Sequence, residues 1–268
     1  MKLAIFSICL IAATAQAQNP PGTGNLPMMT LMSGTLDSAG IAPESLITAF
    51  ATVPNLTDHF ERTSQIPFPT TLAGVAVQVT DAAGMARAAG ILFVSPGQVN
   101  FLMPAGVVPG QATVVVSGMS NVKIQGTTNV QAIAPALFST AGDGDDAGIA
   151  AAVAIQDVIA TGAQSVIPVF DCDPSGSCMA VPLQLGVDTP LYLELFGTGI
   201  RGRANLSDVS VTIGGQPVPV LYAGPQSQFP GLDQVNVPVL LTLRGAGMVN
   251  VIVTVAGQAS NPVRVVIQ

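Results

Sequence analysis

The residues that could carry chemistry in this chain are few and scattered. A serine triad needs a base beside its nucleophile, and the only histidine, His59, lies in the polar stretch NLTDHFERT. Glycoside hydrolysis needs two carboxylates that face each other. Glu194 interrupts the stretch LYLELF on the face opposite Leu193 and Leu195, which is typical of an outward-facing strand residue. We therefore predict a protein that is not an enzyme and binds no cofactor; the alternative is a cryptic hydrolase.

Three acidic residues share a glycine-rich loop. Asp143, Asp145 and Asp146 lie in GDGDDAG, and closely spaced oxygen ligands of this kind can hold Ca²⁺. The stretch lacks the distal bidentate Glu and the length of an EF-hand loop. We predict a solvated turn without a bound metal, with a calcium site as the alternative.

One further loop combines aromatic and acidic side chains. Ligand sites are commonly lined by aromatic residues, and this chain has no Trp and only two Tyr. Tyr222, Phe229 and Asp233 lie close together in LYAGPQSQFPGLDQ. This loop is the candidate ligand site, and a carbohydrate is the ligand that it would suit.

The tripeptide Gln-Val-Asn occurs twice, in GQVNF and in DQVNV. The polar members are Gln98 and Asn100 in the first copy and Gln234 and Asn236 in the second. Each copy follows a turn, so we predict that it enters a strand with its valine pointing inward and its Asn bonded to nearby backbone. A structural corner accounts for both copies, whereas catalysis would require two active sites.

The elements that must position these residues are short strands. Short runs rich in Val, Thr and Ile alternate with period two, and 28 Gly and 21 Pro separate these runs, as expected of half-buried strands. Blocks also recur in one order in both halves, which indicates an internal repeat. The paired blocks are LITAF with LYLELF, AGVAVQVT with VSVTIGG, GILFVSPGQVNF with PVLYAGPQSQFPGLDQVNV, and ATVVVSGMSNVKIQ with VNVIVTVAGQASNPVRVVIQ.

Each copy is long enough for two antiparallel sheets around one core. We predict one β-sandwich over residues 40–133 and a second over 180–268. Residues 134–179 form a β-rich insert, with strands near 149–155 and 166–170, that packs on the second sandwich. The leader, 18–39, turns apolar at 26–32. It either supplies the first strand of the first sandwich or is donated to a neighbouring molecule, which would make it the site of any self-association.

The C-terminal end of the insert carries two of the three cysteines of the chain. Cys172 and Cys178 flank DPSGS, and a pair across such a turn predicts a disulfide that clasps a hairpin. A metal site is the alternative, but it would need about four ligands, and His59 is far away in the sequence.

The first 17 residues have the organisation of a secretory signal peptide. Lys2 precedes an apolar run and the small-x-small triplet Ala15-Gln16-Ala17, so we expect cleavage before Gln18 and export to the periplasm, the cell surface or the medium. Charged residues make up 9% of the chain and the formal net charge is −7. This balance argues against nucleic acid and anionic lipid as partners, and no other segment is apolar enough to insert in a membrane.

The second half closely resembles a known family. The stretches PVFDCDPSGSCMAVPLQLG, YLELFGTGIRG and VTVAGQASNPVRVVIQ resemble an uncharacterised Solibacter-type C-terminal domain family of exported acidobacterial proteins. The resemblance is dense over 134–268 and weaker over 46–131. Its repeats look like the immunoglobulin-like IPT/TIG type, which implies an all-β fold with two immunoglobulin-like β-sandwich domains in tandem. The family has no established activity and usually follows a larger upstream domain, and we expect this protein to depart from that arrangement.

These observations favour an exported, non-catalytic β-sandwich protein that serves as an adhesion, spacer or interaction module. Its partner would be a protein or a glycan that the sequence does not identify. The alternative is a carbohydrate-binding module that uses the loop from Tyr222 to Asp233.

Overall fold

The computed structural model describes residues 28–36, 40–51, 55–140 and 147–268. The predicted signal peptide and the loop with Asp143, Asp145 and Asp146 lie outside the described residues. Contacts divide the described chain into two compact units. The first unit contains 28–132 and Ser227–Gly231, and the second contains Ile133–Gln226 and Leu232–Gln268.

The first unit is built from short strands in two sheets. One sheet has the order β1-β2-β8-β7-β3 and the other has the order β10-β9-β5-β4, with β6 also paired to β5. A 3-10 turn, Met119–Asn121, precedes the last strand. The strands are β1 (Met29–Ser33), β2 (Leu46–Ala51), β3 (Glu61–Arg62), β4 (Thr71–Leu72), β5 (Val75–Thr80), β6 (Ala86–Ala88), β7 (Gly90–Ser95), β8 (Gln98–Leu102), β9 (Gly110–Ser117) and β10 (Lys123–Val130).

The second unit repeats this plan with additional strands. Its larger sheet has the order β13-β12-β16-β20-β19, with β11 also paired to β16, and its other sheet has the order β18-β17-β21-β22, with β23 paired to β21. The strands are β11 (Ala136–Leu137), β12 (Ala152–Val158), β13 (Ala163–Pro168), β14 (Phe170–Cys172), β15 (Cys178–Ala180), β16 (Leu191–Thr198), β17 (Val209–Ile213), β18 (Gln216–Val218), β19 (Tyr222–Pro225), β20 (Asp233–Val239), β21 (Gly247–Val255), β22 (Gln258–Ala259) and β23 (Val263–Ile267). Two 3-10 turns, Leu206–Asp208 and Leu241–Leu243, lie between them.

Each unit buries one hydrophobic core between its two sheets. In the first unit Val75, Val77 and Val79 of β5 alternate into a core that also receives Val99 and Phe101 of β8. In the second unit the inward positions of β16 and β20 meet those of β17, β21 and β23. All pairings between the named strands are antiparallel. The predicted all-β sandwich architecture is therefore confirmed.

The two units share their strand order. The run β1-β2-β8-β7 corresponds to β12-β16-β20-β19, and β10-β9-β5 corresponds to β23-β21-β17. The described part of the leader thus forms β1, which pairs with β2 inside this chain. In the second unit the same position is taken by β12, a strand of the region 134–179. The repeat makes it possible to compare equivalent residues of the two sheets directly.

The small hairpin β14–β15 carries the disulfide. Cys172 and Cys178 lie opposite each other in this hairpin and are bonded. The turn between them is held by Asp173, whose carboxylate accepts hydrogen bonds from the hydroxyl and backbone N–H of Ser175 and from the N–H of Ser177. The predicted disulfide is therefore confirmed, and the predicted alternative of a metal site at these thiols is wrong.

Asp81 organises the turn after β5. Its buried carboxylate accepts hydrogen bonds from the backbone N–H groups of Ala83, Met85 and Val108 and from the Arg87 guanidinium. Burial raises the pKa of this carboxyl, but the donors outweigh burial and hold the pKa at about 2. Because the folded-state pKa is below the unfolded value of about 3.9, the ionised group stabilises the fold above pH ~4. That contribution is lost as the pH falls toward 2.

We expect Asp81→Asn to lower the melting temperature at pH 7 by about 3 °C or more. The gap between variant and wild type should shrink between pH 4 and pH 2, since Asp81 is protonated in both states below its folded pKa. Circular dichroism melts across this range measure both effects. Asp188→Asn, which removes an exposed carboxylate, is the control. A gap that stays constant down to pH 2 would contradict the assigned role.

Candidate functional site

In the first copy of Gln-Val-Asn, the polar side chains form a chain of hydrogen bonds that ends on Thr48. Val99 points into the core and is fully buried, while Gln98 and Asn100 lie on the opposite face of β8. Gln98 Nε2 donates to Asn100 Oδ1 at 2.7 Å, and Asn100 Nδ2 donates to Thr48 Oγ1 at 3.2 Å. Gln98 is 7% and Thr48 1% exposed. Every member of this chain of hydrogen bonds therefore has a partner away from solvent.

One detail of the prediction for these motifs is corrected: Asn100 bonds to side chains instead of nearby backbone. Each copy enters a strand after a turn, as predicted, since β8 begins at Gln98 and β20 begins at Asp233. Backbone groups of a central strand are occupied by the ladder on both sides. Side chains two residues apart share one face of a strand, so Gln98 meets Asn100 first. The inward direction of Val99 and Val235 is as predicted, since both are fully buried.

The second copy of Gln-Val-Asn keeps the first bond of this hydrogen-bond chain and lacks the second. Gln234 Nε2 donates to Asn236 Oδ1 at 2.8 Å, which repeats the first bond of the first copy. The register then places Glu194 opposite Asn236, where the first unit has Thr48 opposite Asn100. Within the described part of the chain, the Glu194 carboxylate makes no hydrogen bond and no ion pair. Burial raises the pKa of this carboxyl above its ordinary value.

Glu194 lies at the centre of the outer surface of the larger sheet. The buried neighbours Leu193 and Leu195 point into the core, so Tyr192 and Glu194 point outward. None of the six strands of this sheet contains Lys or Arg. Cross-strand partners place apolar and polar side chains around the carboxylate. We call this surface the Glu194 face; its members are Val153, Ile155, Tyr192, Glu194, Asn236, Pro238 and Tyr222.

The residues of the predicted ligand loop do not share one environment. Tyr222 lies on the Glu194 face, opposite Asn236. It is 39% exposed, and its hydroxyl donates to the Pro225 carbonyl at 2.6 Å. Phe229 belongs to the first unit, where its ring meets Phe68 edge-on at 5.4 Å between centroids. The carbohydrate site predicted for this loop stays a prediction, and only Tyr222 of its three residues lies on the Glu194 face.

Asp233 is the third residue of that loop, and it is fully buried. Its carboxylate accepts hydrogen bonds from the backbone N–H groups of Ile200 and Arg201 at 2.7 and 3.1 Å and from Arg201 Nε at 2.7 Å. Burial raises the pKa of Asp233, and the charge of Arg201 together with these hydrogen bonds opposes the rise. The carboxylate thus ties the start of β20 to the loop after β16.

The catalytic candidate His59 lies on an exposed segment, where its Nε2 is 3.1 Å from Asp58 Oδ1. Among the described residues, no group of three or more His, Cys, Asp or Glu could hold a metal ion. No helix in that part of the chain is long and apolar enough to cross a membrane.

Comparisons with known proteins leave the family of this chain open. No family model matches the sequence. No curated protein matches it either. The crystal structure of murine CEACAM1b covers 90% of this chain and 100% of its own, with 8% sequence identity and a TM-score of 0.19. A likeness of this size supports no conclusion on fold or function, and the resemblance to the Solibacter-type family stays a prediction.

Proposed function

We propose that this protein is a non-catalytic interaction module that binds a partner on its Glu194 face. One observation carries the proposal. The same sheet position is filled by Thr48 in the first unit, where it is hydrogen bonded, and by Glu194 in the second, whose carboxylate has no partner among the described residues. A half-buried charge without a donor is unfavourable in the free protein. A bound partner that supplies a donor would remove this cost, as expected of a site that trades stability for binding.

The compartment fits such a role. The bond between Cys172 and Cys178 persists in oxidising environments outside the cytosol, which supports export. An exported sandwich that holds a partner on one sheet would serve in adhesion or as a spacer with a docking surface.

A carbohydrate-binding module is the second candidate. Tyr192 and Tyr222, the only tyrosines of the chain, both lie on the Glu194 face. Aromatic rings offer apolar faces to a ligand, while Asn236 and Glu194 lie between the two tyrosines and could bond hydroxyl groups. This candidate moves the predicted sugar site from the loop to the sheet.

Glu194→Thr tests the proposed function because it copies the first unit. At pH 7 the variant should be more stable than wild type by about 0.5 to 1.5 kcal/mol, since Thr replaces an unpaired charge and can accept from Asn236. The sign follows from linkage: a carboxyl with a raised folded-state pKa contributes stability at low pH and loses it as the pH rises through that pKa. Urea denaturation at pH 7 and at pH 3 measures the difference, which should vanish or reverse at the lower pH.

The same variant should lose binding. Peptide and glycan arrays probed with the wild-type mature protein should show partners whose signal disappears with Glu194→Thr. Asp188→Asn, which removes one exposed charge elsewhere, should keep them. If every bound partner is retained by Glu194→Thr, the Glu194 face is not the binding site and the proposal fails.

A further inference from the structure

We infer that the Glu194 face takes a basic side chain, an Arg or Lys of a protein partner, with its cation on the Glu194 carboxylate and beside the Tyr192 ring. This inference rests on the proposed function and names the chemistry of the partner. The inferred partner is a segment of a protein. Binding of a neutral glycan instead is the competing outcome of the test.

The charge distribution favours a cation. The whole chain carries a formal net charge of −7, and the sheet behind the Glu194 face has no Lys or Arg in any of its strands. Its other outward acid, Asp157, already accepts a hydrogen bond from Gln164 Nε2 at 2.9 Å. Arg203 reaches this face beside Gly224, where its guanidinium donates to the Ala223 carbonyl and forms no ion pair with Glu194. Among the described residues, Glu194 is therefore the acid of this face that is left to neutralise.

The hydrogen-bonding groups around Glu194 also call for a donor from outside. Asn236 Oδ1 accepts from Gln234 Nε2, and among the described residues Asn236 Nδ2 donates no hydrogen bond to the carboxylate. The carboxylate accepts through two oxygens, while a guanidinium presents paired N–H donors that match them and an ammonium presents three donors. A cation so bound gains full charge compensation, which a sugar hydroxyl cannot supply.

Tyr192 adds a second contact suited to a cation. It precedes Glu194 by two residues and points to the same face of β16, so the two side chains start roughly 7 Å apart. A cation on the carboxylate then lies within the range of about 6 Å over which an aromatic ring attracts it. Val153 and Ile155 of the neighbouring strand keep this side of the site apolar, which suits the alkyl stem of Arg or Lys.

A bare metal ion fits the site poorly. Hard cations such as Ca²⁺ collect about six or more oxygen ligands, and a single free carboxylate beside an occupied amide oxygen does not provide them. No cluster of acidic residues that could hold a metal occurs among the described residues.

The experiment uses the full mature protein and a capped Gly-Gly-Arg-Gly-Gly peptide, with the citrulline peptide as its neutral twin. Two-dimensional NMR follows the side-chain amide of Asn236 and the backbone amides of β16 and β20 during each titration. The arginine peptide should shift these signals saturably, and the citrulline peptide should bind at least about tenfold more weakly. Glu194→Thr should weaken arginine-peptide binding by about tenfold or more, as should 0.5 M salt, whereas Asp188→Asn should change it less than about twofold.

The outcomes separate the inference from the proposed function. Equal binding of the two peptides, or shifts confined to other surfaces, would overturn the inference, as would the lack of any shift up to about 10 mM of the arginine peptide. A neutral oligosaccharide series is titrated in parallel. Saturable shifts of the same signals by a neutral oligosaccharide alone, lost in Glu194→Thr, would overturn the basic partner and retain the interaction module.

Discussion

Replacing Asp233 by Ala should lower the free energy of unfolding by about 3 to 5 kcal/mol. The carboxylate is fully buried and binds the Arg201 guanidinium and the N–H groups of Ile200 and Arg201. Its removal leaves a guanidinium whose side chain is only 13% exposed without its counter-charge, and it leaves two backbone donors without an acceptor. Such groups keep their full cost of desolvation.

Urea denaturation of the variant and of wild type measures the loss. The double variant Arg201→Met, Asp233→Leu should lose less than Asp233→Ala alone, because it removes both charges together. Asp188→Asn, an exposed aspartate, should stay within about 0.5 kcal/mol of wild type. A loss below about 1 kcal/mol for Asp233→Ala would show that the ion pair is not structural and would return this residue to the candidate ligand loop.

The role of Asp233 was not predictable from the sequence. The sequence placed it in an aromatic loop with Tyr222 and Phe229, because those residues are near in number. Its partners Ile200 and Arg201 come from the preceding loop, and the conformation of a loop is not encoded in a hydrophobic period. Pattern reasoning finds faces of strands, whereas ion pairs between loops require the folded chain.

The strands were predictable where alternation is strong. Val75, Val77 and Val79 predicted β5, and their burial confirms the face, because a period of two places these side chains on one side of the sheet. The strand predicted near 149–155 is observed as β12, Ala152–Val158. Its inward residues are Ala152 and Ala154. Alanine has no preference for one face that a sequence pattern could detect, so the boundary moved.

The sequence predicted which way Glu194 of the candidate site points, but not which residue lies opposite it. Alternation in LYLELF predicted that Glu194 points outward, and the overlay of the two halves placed this segment against LITAF. What alternation cannot supply is register, the pairing of Glu194 with Asn236 across two strands. Only with that register does the overlay equate Glu194 with Thr48, and only the hydrogen bond to Thr48 shows what the second copy lacks.

The two asparagines therefore should not respond alike to substitution, although both belong to the same repeated motif. Asn100→Ala should cost about 1 to 3 kcal/mol, because it strands the amide of Gln98 and the hydroxyl of Thr48, which are 7% and 1% exposed. Asn236→Ala should cost less than about 1 kcal/mol, since its partner Gln234 is only half-buried and can bond to water instead.

The difference between the two variants separates a structural copy of the Gln-Val-Asn motif from a copy that serves binding. If Asn100→Ala and Asn236→Ala destabilise equally, both copies are structural and the candidate site in the second unit loses its support. A double-mutant cycle of Asn100→Ala with Thr48→Val adds a direct check. It should show a coupling of about 0.5 kcal/mol or more, because the two side chains share a hydrogen bond of 3.2 Å. The matching cycle of Asn236→Ala with Glu194→Gln should show none, because no bond joins Asn236 to Glu194 in the free protein. Coupling in the second cycle alone would mean that Glu194 already has its donor, and that the face needs no partner to satisfy it.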